Sequence, residues 1–474
     1  MRRQPISVFL FAIFLPSLPL FSQNIIFSEP QSNRIANYGI AVSLNDTLKT
    51  LDAEVKLIWE NPSRDTIPDL QFHLYLNAFK NAKSTFSKES NGSLPLAKRD
   101  GWGWSEISRM AVRGADHSDK LKFIAPDDGN ADDQTVLQVM LDQPVLPGET
   151  VEIDYSFQAK IPRNHRRTGW WGDDFFFMVQ WFPKIGVYET PGMRLVPIDA
   201  PRGQWNCHQF HPNTEFYADF GVYDVQITAP VKYTIAATGV IQRERLNEDH
   251  SKTVFVHAED VHDFAWLADA TVLDFAETWN NKRTGQMVKI RLLLQPGHES
   301  AKSAYLESAK YTLQYFDDWL GEGAYPYPQL TIVDPQPGSS AGGMEYPTLI
   351  TGGVFSPARW WTRNKIRIVE TVTIHELAHQ YWYGMVANNE FEEAFLDEGF
   401  TTYSENRIGA EMFGKRTSML DFAGLKVSME AMRRPSYTQS KGNRDATISD
   451  FSYATRGSRN LAYNKWSLAL KTLE

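Results

Sequence analysis

The stretch from Thr371 to Glu405 constrains this chain more than any other, because it holds His375, Glu376 and His379 in the order H-E-x-x-H. Side chains four residues apart lie one above the other on a helix, so both imidazoles can reach one metal ion. Glu376 stands beside the first histidine, where it can hold a water that the metal activates. The motif is flanked by apolar residues at helical spacing, which predict a packed helix; these are Ile366, Val369, Val372, Ile374, Leu377, Ala378 and Tyr381.

A carboxylate downstream completes the pattern. Glu398 follows His379 with 18 residues between them, in the run LDEGF, and is predicted to open a second helix after a glycine-containing turn. Two His and one Glu form the ligand set of a catalytic zinc site with an open fourth position. Glu405 lies on the same helical face two turns later and could accept a hydrogen bond from a ligating imidazole. We predict that His375, His379 and Glu398 bind zinc; the alternative is a packed helix with two ordinary histidines.

The N-terminus and the composition indicate where the protein works. Arg2 and Arg3 precede an apolar run from Ile6 to Phe21, which predicts a signal peptide over residues 1–23. A membrane anchor is the alternative, but the run is short and two prolines interrupt it. The net charge of −9 argues against nucleic acid or an anionic membrane as a partner. We expect no stable membrane insertion once the signal peptide has been removed.

Cysteine usage agrees with export to a bacterial periplasm or to the medium. Cys207 is the only cysteine, so no disulfide can form within the chain. An exported protein without disulfides suits those compartments better than a disulfide-rich extracellular scaffold does.

The length of 474 residues predicts more than one domain. Period-two patterns dominate residues 24–284 and predict an all-β domain of antiparallel sheets, with long surface loops at Asn81–Asp119 and Ala125–Asp133. The aromatic-rich stretch from Thr168 to Glu189 is predicted to pack between layers. Residues 285–474 change to a mixed α+β pattern, with a helix ending at Gly321 and an exposed edge strand carrying Glu345.

The closing segment AYNKWSLALKTLE predicts an amphipathic helix whose apolar face has no visible partner. It stops at Glu474 without a glycine cap. We expect the chain to end inside a domain, as a fragment of a longer protein.

These motifs together resemble the aminopeptidase N family of zinc metallopeptidases, which also includes leukotriene hydrolase. The resemblance is carried by HELAHQYWYG, LDEGF and GGMEY, and extends to HPNTEFYADFGVYDVQITAP, HDFAWLAD, YPYPQLTIV and AYNKWSLAL. It implies an N-terminal β domain followed by a thermolysin-like catalytic domain, one zinc ion, and peptide substrates with a free N-terminus.

The resemblance also implies roles for individual residues. Glu376 would be the general base and Tyr463 the hydroxyl that stabilises the oxyanion. Glu405 would support a zinc ligand, and Gln180 matches a glutamine near the substrate's amine. The run Gly342, Gly343, Met344 and Glu345 would bind the substrate, with Glu345 holding its α-ammonium group.

This sequence departs from the family pattern at three positions: Tyr346 and Asp397 each replace the usual Asn, and Trp466 replaces a small residue or Pro. Tyr346 could narrow the subsite beside Glu345. The leading hypothesis is therefore a zinc aminopeptidase that hydrolyses the N-terminal peptide bond. The alternatives are the same zinc chemistry on an internal peptide bond or an epoxide, and a non-catalytic peptide-binding protein.

Overall fold

The computed structural model describes residues 25–90, 101–193, 196–353, 366–439 and 461–474, so the predicted signal peptide lies outside the described residues. The strands in chain order are β1 Ala36–Asn45, β2 Thr50–Glu60, β3 Ile67–His73, β4 Trp104–Val112, β5 Ala115–Asp116, β6 Leu121–Ile124, β7 Val136–Val145, β8 Thr150–Lys160, β9 Gly169–Trp171, β10 Phe175–Met178, β11 Lys184–Ile185, β12 Val187–Glu189, β13 Gln204–Asn206, β14 Gly221–Pro230, β15 Thr234–Ala237, β16 Val240–Leu246, β17 Ser251–Val261, β18 Trp266–Asp269, β19 Leu273–Asn280, β20 Met287–Leu294, β21 Gln329–Val333, β22 Leu349–Thr351, β23 Leu420–Phe422 and β24 Leu425–Val427.

The helices lie mainly in the last third of the chain. They are α1 Thr85–Glu89, α2 Lys302–Leu320, α3 Ile368–Ala378, α4 Glu390–Phe413, α5 Met429–Gln439 and α6 Trp466–Leu473, with a π-helical turn at Leu461–Lys465. Short 3-10 turns occur at Tyr75–Phe79, Ser118–Lys120 and Glu299–Ala301. Within the part of the chain that the structure describes, no helix is long and apolar enough to cross a membrane.

The largest sheet has eight strands in the order β16-β17-β14-β1-β2-β8-β4-β5. Its neighbours run antiparallel except β1 and β14, which pair in parallel from Tyr38 opposite Tyr223 to Ser43 opposite Thr228. Side chains of β1 and β14 alternate between buried and more exposed positions, as expected when one face of a sheet covers the core. The period-two pattern therefore predicted these strands correctly.

The aromatic-rich stretch lies between two apolar layers, as predicted. Strand β10 belongs to the sheet β15-β18-β10-β9, and its successive side chains point to opposite faces. Phe176 and Met178 pack into one buried cluster, whereas Phe175 and Phe177 pack into another. This strand joins the cores on its two sides.

The C-terminal half is built on the sheet β19-β20-β21-β22, in which β20, β21 and β22 run parallel. Helix α2 packs against this sheet and ends at Leu320; the predicted terminator Gly321 is its C-cap, where the φ of +119° suits a glycine. A strand-rich N-terminal half followed by a mixed α+β half confirms the predicted fold class. The predicted boundary at residue 285 falls in the turn between β19 and β20, and it stays a prediction.

Four local expectations were wrong. The loop predicted for Asn81–Asp119 contains α1 and β4. Glu345 is buried and lies before the short edge strand β22 rather than on an exposed strand. Helix α4 begins at Glu390, so Glu398 lies inside it instead of opening it. Helix α6 does have a partner, because Trp466 packs edge-on against Phe395 of α4.

Candidate metal centre

Helix α3 presents the two histidines of the H-E-x-x-H motif from the core of the C-terminal half. Val369, Ile374 and Leu377 on this helix are fully or almost fully buried and hold it against α2 and α4. His375 lies in its last turn, and His379 follows directly as the residue that ends it. The packed helix predicted from the apolar spacing is thus confirmed.

Three donor atoms converge in front of this helix. His375 Nε2 lies 3.1 Å from His379 Nε2, Glu398 Oε2 lies 3.2 Å from the first nitrogen, and it lies 3.3 Å from the second. Tetrahedral zinc with bonds of about 2.05 Å requires its ligand atoms to stand roughly 3.3 Å apart. Two ring nitrogens facing each other at this distance cannot both carry a proton, whereas a shared cation satisfies both lone pairs. The donor set fits zinc, as predicted for these three residues.

A second group of donors lies beside the first. Among the described residues, Glu345, His379 and Asp397 also place one donor atom each within 4.8 Å of one another. The first group is the better metal site because it uses both histidines and leaves Asp397 in a hydrogen bond to His379 Nδ1. The second group nevertheless shows that the Glu345 carboxylate lies next to the metal site.

Each histidine is oriented by a carboxylate behind it. His375 Nδ1 lies 2.9 Å from Glu405 Oε2, and Arg433 donates to both oxygens of Glu405, at 3.2 and 2.9 Å. His379 Nδ1 hydrogen-bonds Asp397 on α4. A donor N–H at Nδ1 leaves the lone pair of Nε2 directed at the metal, which fixes the tautomer that a ligand needs. This role was predicted for Glu405 but not for Asp397, where a carboxylate in place of the family's Asn was the available signal.

Burial and the close pairing of histidines with carboxylates together set the pKa values in the site. Burial opposes a positive charge on His375, but hydrogen bonds to Glu398 and Glu405 outweigh it and raise the pKa of His375 to about 9. Burial also opposes the charge on Glu398, yet the neighbouring histidines lower its pKa well below the usual value. Burial raises the pKa of Glu376 to about 8; His375 opposes this rise and the Glu345 carboxylate adds to it. The site favours a cation at its centre.

The run Gly342–Glu345 packs directly on the metal helix. A Cβ at Gly343 would lie 2.4 Å from Glu376 Oε1 and 2.9 Å from Val372 Cγ1, so only glycine allows this approach. Gly342 has a φ of +52°, a left-handed conformation that glycine adopts without strain. Thr351 donates from its backbone N–H to Met344 O at 2.9 Å and thereby ties the run to β22. The glycines therefore bring Glu345 beside Glu376.

Gln180 lines a narrow crevice together with Tyr346, the residue after Glu345. Its backbone is strained, with a φ of +50°, and its side-chain N–H₂ donates to Asp263. Its Oε1 is buried and has no hydrogen-bond partner among the described residues. Gln180, Tyr346 and Arg167 line this narrow crevice, and Tyr346 packs edge-on against Phe177 at 5.5 Å. The structure thus brings Gln180 into the crevice walled by the residue after Glu345.

Tyr463 reaches the third ligand from the π-helical turn. Its hydroxyl donates to Glu398 Oε1, and its ring stacks on His375 with centroids 5.9 Å apart. The residue after Glu398 is Gly399, where a Cβ would lie 2.1 Å from Trp466 Cδ1. Because glycine leaves room for that indole, the segment carrying Tyr463 can approach the metal ligands. The structure therefore brings the predicted ligands, Glu376, Glu405, Tyr463 and the run Gly342–Glu345 around one site, whereas Gln180 lines a neighbouring crevice that contains none of the three ligands.

Comparisons with known proteins agree with this geometry. Residues 304–466 match the Peptidase family M1 domain. The chain is 29% identical over 164 residues to endoplasmic reticulum aminopeptidase 2 of Bos taurus, an alignment that covers 34% of this chain and 16% of that protein. It is 36% identical over 121 residues to aminopeptidase 2 of Candida albicans, covering 24% of this chain and 13% of that protein. The chain thus spans less than a third of the length of these relatives.

Solved structures support the same fold. An M1 zinc metallopeptidase from Deinococcus radiodurans superposes with a TM-score of 0.56 at 17% identity, covering 93% of this chain and 82% of that one. A mutant of that enzyme bound to a Tyr-Ser-Ala substrate gives a TM-score of 0.54 at 16% identity, covering 93% of this chain and 83% of that one. Both likenesses concern the whole two-part architecture.

Proposed function

Because residues 304–466 belong to peptidase family M1, the family of aminopeptidase N, we propose that this protein is a zinc-dependent aminopeptidase that removes N-terminal residues from peptides. One observation carries the proposal. The three converging donor atoms of His375, His379 and Glu398 lie beside the buried carboxylate of Glu345, which can hold a substrate's ammonium group next to the metal.

The reaction needs an activated water and a base. When bound by the three ligands, zinc supplies Lewis acidity that lowers the pKa of a water and polarises the scissile carbonyl. Glu376 takes a proton from the attacking water and delivers it to the departing amine. Its place beside His375 and against Gly343 puts this carboxylate between the metal ligands and the peptide-binding run. Tyr463, already at the third ligand, donates a hydrogen bond to the oxyanion, a contribution typically worth about 3 kcal/mol.

The preference for a free N-terminus comes from the acidic and amide groups around the crevice. Glu345 is 6% exposed, and an ammonium group bound there would neutralise its buried charge. The unpartnered Oε1 of Gln180 supplies a further acceptor for an N–H. A peptide with a blocked N-terminus leaves both acceptors unsatisfied, which costs binding free energy. The related Deinococcus enzyme bound to Tyr-Ser-Ala is consistent with peptide substrates.

The same proposal includes an exported location. The basic residues and apolar run of residues 1–23 support removal of a signal peptide, and the single cysteine suits a periplasm or the medium. The acidic net charge argues against nucleic acid and anionic membranes as partners. Mass spectrometry of the N-terminus after expression in a bacterium tests this: an intact residue 1 in the recovered protein would contradict it.

The deciding experiment measures hydrolysis of a panel of aminoacyl fluorogenic amides by zinc-loaded protein. Glu376→Gln serves as the matched control because it removes the base and keeps the size of the side chain. Turnover of free aminoacyl amides that disappears in the control, with no turnover of their N-acetylated forms, is the expected result. Turnover confined to acetylated or internal bonds would overturn the aminopeptidase assignment while leaving the zinc chemistry.

A further inference from the structure

Gln380, the residue directly after the ligand His379, is joined to the run that carries Glu345. Its Nε2 donates to Glu345 O at 3.0 Å and to Tyr346 O at 3.1 Å, while its Oε1 accepts from Thr348 N at 2.7 Å. The side chain is 1% exposed, and all three bonds go to backbone atoms. One amide therefore holds both sides of the turn that follows Glu345.

The turn held by Gln380 is strained and needs external support. Thr348 has a φ of +57°, which is rare for a β-branched residue, and such conformations persist only where their surroundings enforce them. On its other side, Thr348 Oγ1 accepts from Gly239 N at 2.8 Å and from Gln329 Nε2 at 2.7 Å. Gln380 is the support that comes from the metal-binding segment.

The segment that carries the metal ligands, His375 to Gln380, thus contacts the run Gly342–Glu345 at two points that are four residues apart. Gly343 packs against Glu376, and the residues around Glu345 are bound by Gln380, four positions later. We propose that Gln380 is a positioning residue that sets the distance from the zinc ligands to the ammonium-binding carboxylate of Glu345. It would thereby fix which peptide bond lies at the metal, a role that assumes the aminopeptidase function proposed above.

Gln380→Met tests the role because methionine has a similar volume and cannot form the three hydrogen bonds. Gln380→Glu keeps an acceptor for Thr348 N but turns a carboxylate oxygen towards the carbonyls of Glu345 and Tyr346. Gln295→Met is the matched control: Gln295 is also a buried amide, which donates to Asp269 and Asp334 instead. Zinc content and melting temperature are measured for every variant.

Two readouts separate positioning from general stability. With leucine aminoacyl amide, we expect KM to rise about tenfold in Gln380→Met, with a smaller change in kcat. The reason is that the substrate's ammonium group would lose its well-oriented contact with the Glu345 carboxylate. In calorimetry on zinc-loaded protein, the affinity for leucinamide should fall by a similar factor, while Gln295→Met stays within about twofold. If Gln380 acts through Glu345, adding Gln380→Met to Glu345→Gln should cause little further loss.

Several results would overturn the inference. Leucinamide binding by Gln380→Met that equals the control, or losses that multiply with Glu345→Gln, would mean that Gln380 only fills the core. Loss of folded protein in both Gln380 variants would mean the same. If wild type binds leucinamide but hydrolyses no amide, the proposed function fails, and the calorimetric comparison still decides the role of Gln380.

Discussion

Two of the buried clusters of histidine and carboxylate groups among the described residues differ in where their ring nitrogens point. At the metal centre, one nitrogen of His375 and one of His379 face each other across 3.1 Å. In the second cluster, which we call the interface cluster, His208 and His211 both face Asp127, at 2.7 and 3.1 Å. The first arrangement leaves lone pairs that converge on a cation, whereas the second pairs ring nitrogens with carboxylate oxygens.

The interface cluster connects the two halves of the protein. The remaining ring nitrogens face carboxylates as well: His208 Nε2 lies 3.0 Å from Glu392 of α4, and His211 Nδ1 lies 2.9 Å from Glu89 of α1. Burial opposes protonation of both rings, but the carboxylates outweigh it and raise the pKa of each histidine to about 9. Residue types alone therefore do not distinguish a metal site from an ion-pair network; the direction of the lone pairs does.

The largest expected difference between the clusters concerns zinc itself. His375→Ala removes one of three converging donors, and we expect zinc affinity to fall by more than the roughly 10- to 100-fold typical of changes behind a ligand. His208→Ala should leave zinc binding unchanged. Competition with a chromophoric chelator measures both. If His375→Ala kept the wild-type affinity for zinc, the metal centre and the interface cluster would not differ in metal binding.

The free energy of unfolding should depend on the interface cluster, whereas zinc binding should not. Asp127→Asn leaves two protonated histidines without their shared carboxylate, and we expect a loss of about 3 kcal/mol in the free energy of unfolding. Zinc stoichiometry should not change. The exposed Asp132→Asn is the matched control and should shift stability by less than about 0.5 kcal/mol. Chemical denaturation of the three proteins gives the comparison, and equal stabilities would show that the interface cluster is neutral.

Asp397 combines features of the metal centre and the interface cluster, because it is a carboxylate paired with His379, which is also a metal ligand. Asp397→Asn removes the charge behind His379 Nδ1 and keeps the size of the side chain. We expect zinc affinity to fall about 10- to 100-fold, as for other groups that orient ligating histidines. Glu405→Gln should give a similar loss through His375. Unchanged chelator competition in Asp397→Asn would show that the contact does not tune the metal.

The smallest effect concerns pH. Because the folded pKa of His208 and His211 is raised to about 9, their contribution to stability is complete below about 6.5 and is lost as pH rises through about 9. Asp127 changes in the other direction: burial opposes it, but hydrogen bonds to the histidines lower its pKa, so its contribution is lost only in acid. Unfolding followed from pH 6.5 to 10 should show a decline that Asp127→Asn flattens. Parallel curves for the two proteins would contradict this.

Much of the architecture could be predicted because periodicity and spacing are local properties. The helix ending at Gly321 and the spacing of His375 to Glu398 follow directly from neighbouring residues. Strand β4 could not be recognised in the same way, because a bulge between Ile107 and Arg109 breaks its alternation. The start of helix α4 could have been predicted correctly, because Asn389 is a typical N-cap residue and caps the first turn by accepting from Glu392 N.

The contacts around the ligands were harder to foresee because they join distant parts of the chain. Asp397 supports His379 only because α4 packs across α3, and Gln380 meets the residues after Glu345 only because that run turns back on the metal helix. No spacing rule encodes such approaches. A family pattern supplied Tyr463 and Glu345, but it did not reveal the burial of Glu345 or the bond from Tyr463 to Glu398.

The glycine after the third ligand has a consequence for the order in which the site matures. His375 and Glu398 are 23 residues apart, so the metal donors can gather as soon as α3 and α4 have packed together. Tyr463 belongs to a segment 65 residues beyond Glu398 and docks in the space that Gly399 leaves for Trp466. Metal binding can therefore precede the docking of the tyrosine, and we expect a folding intermediate that holds zinc before Tyr463 reaches Glu398.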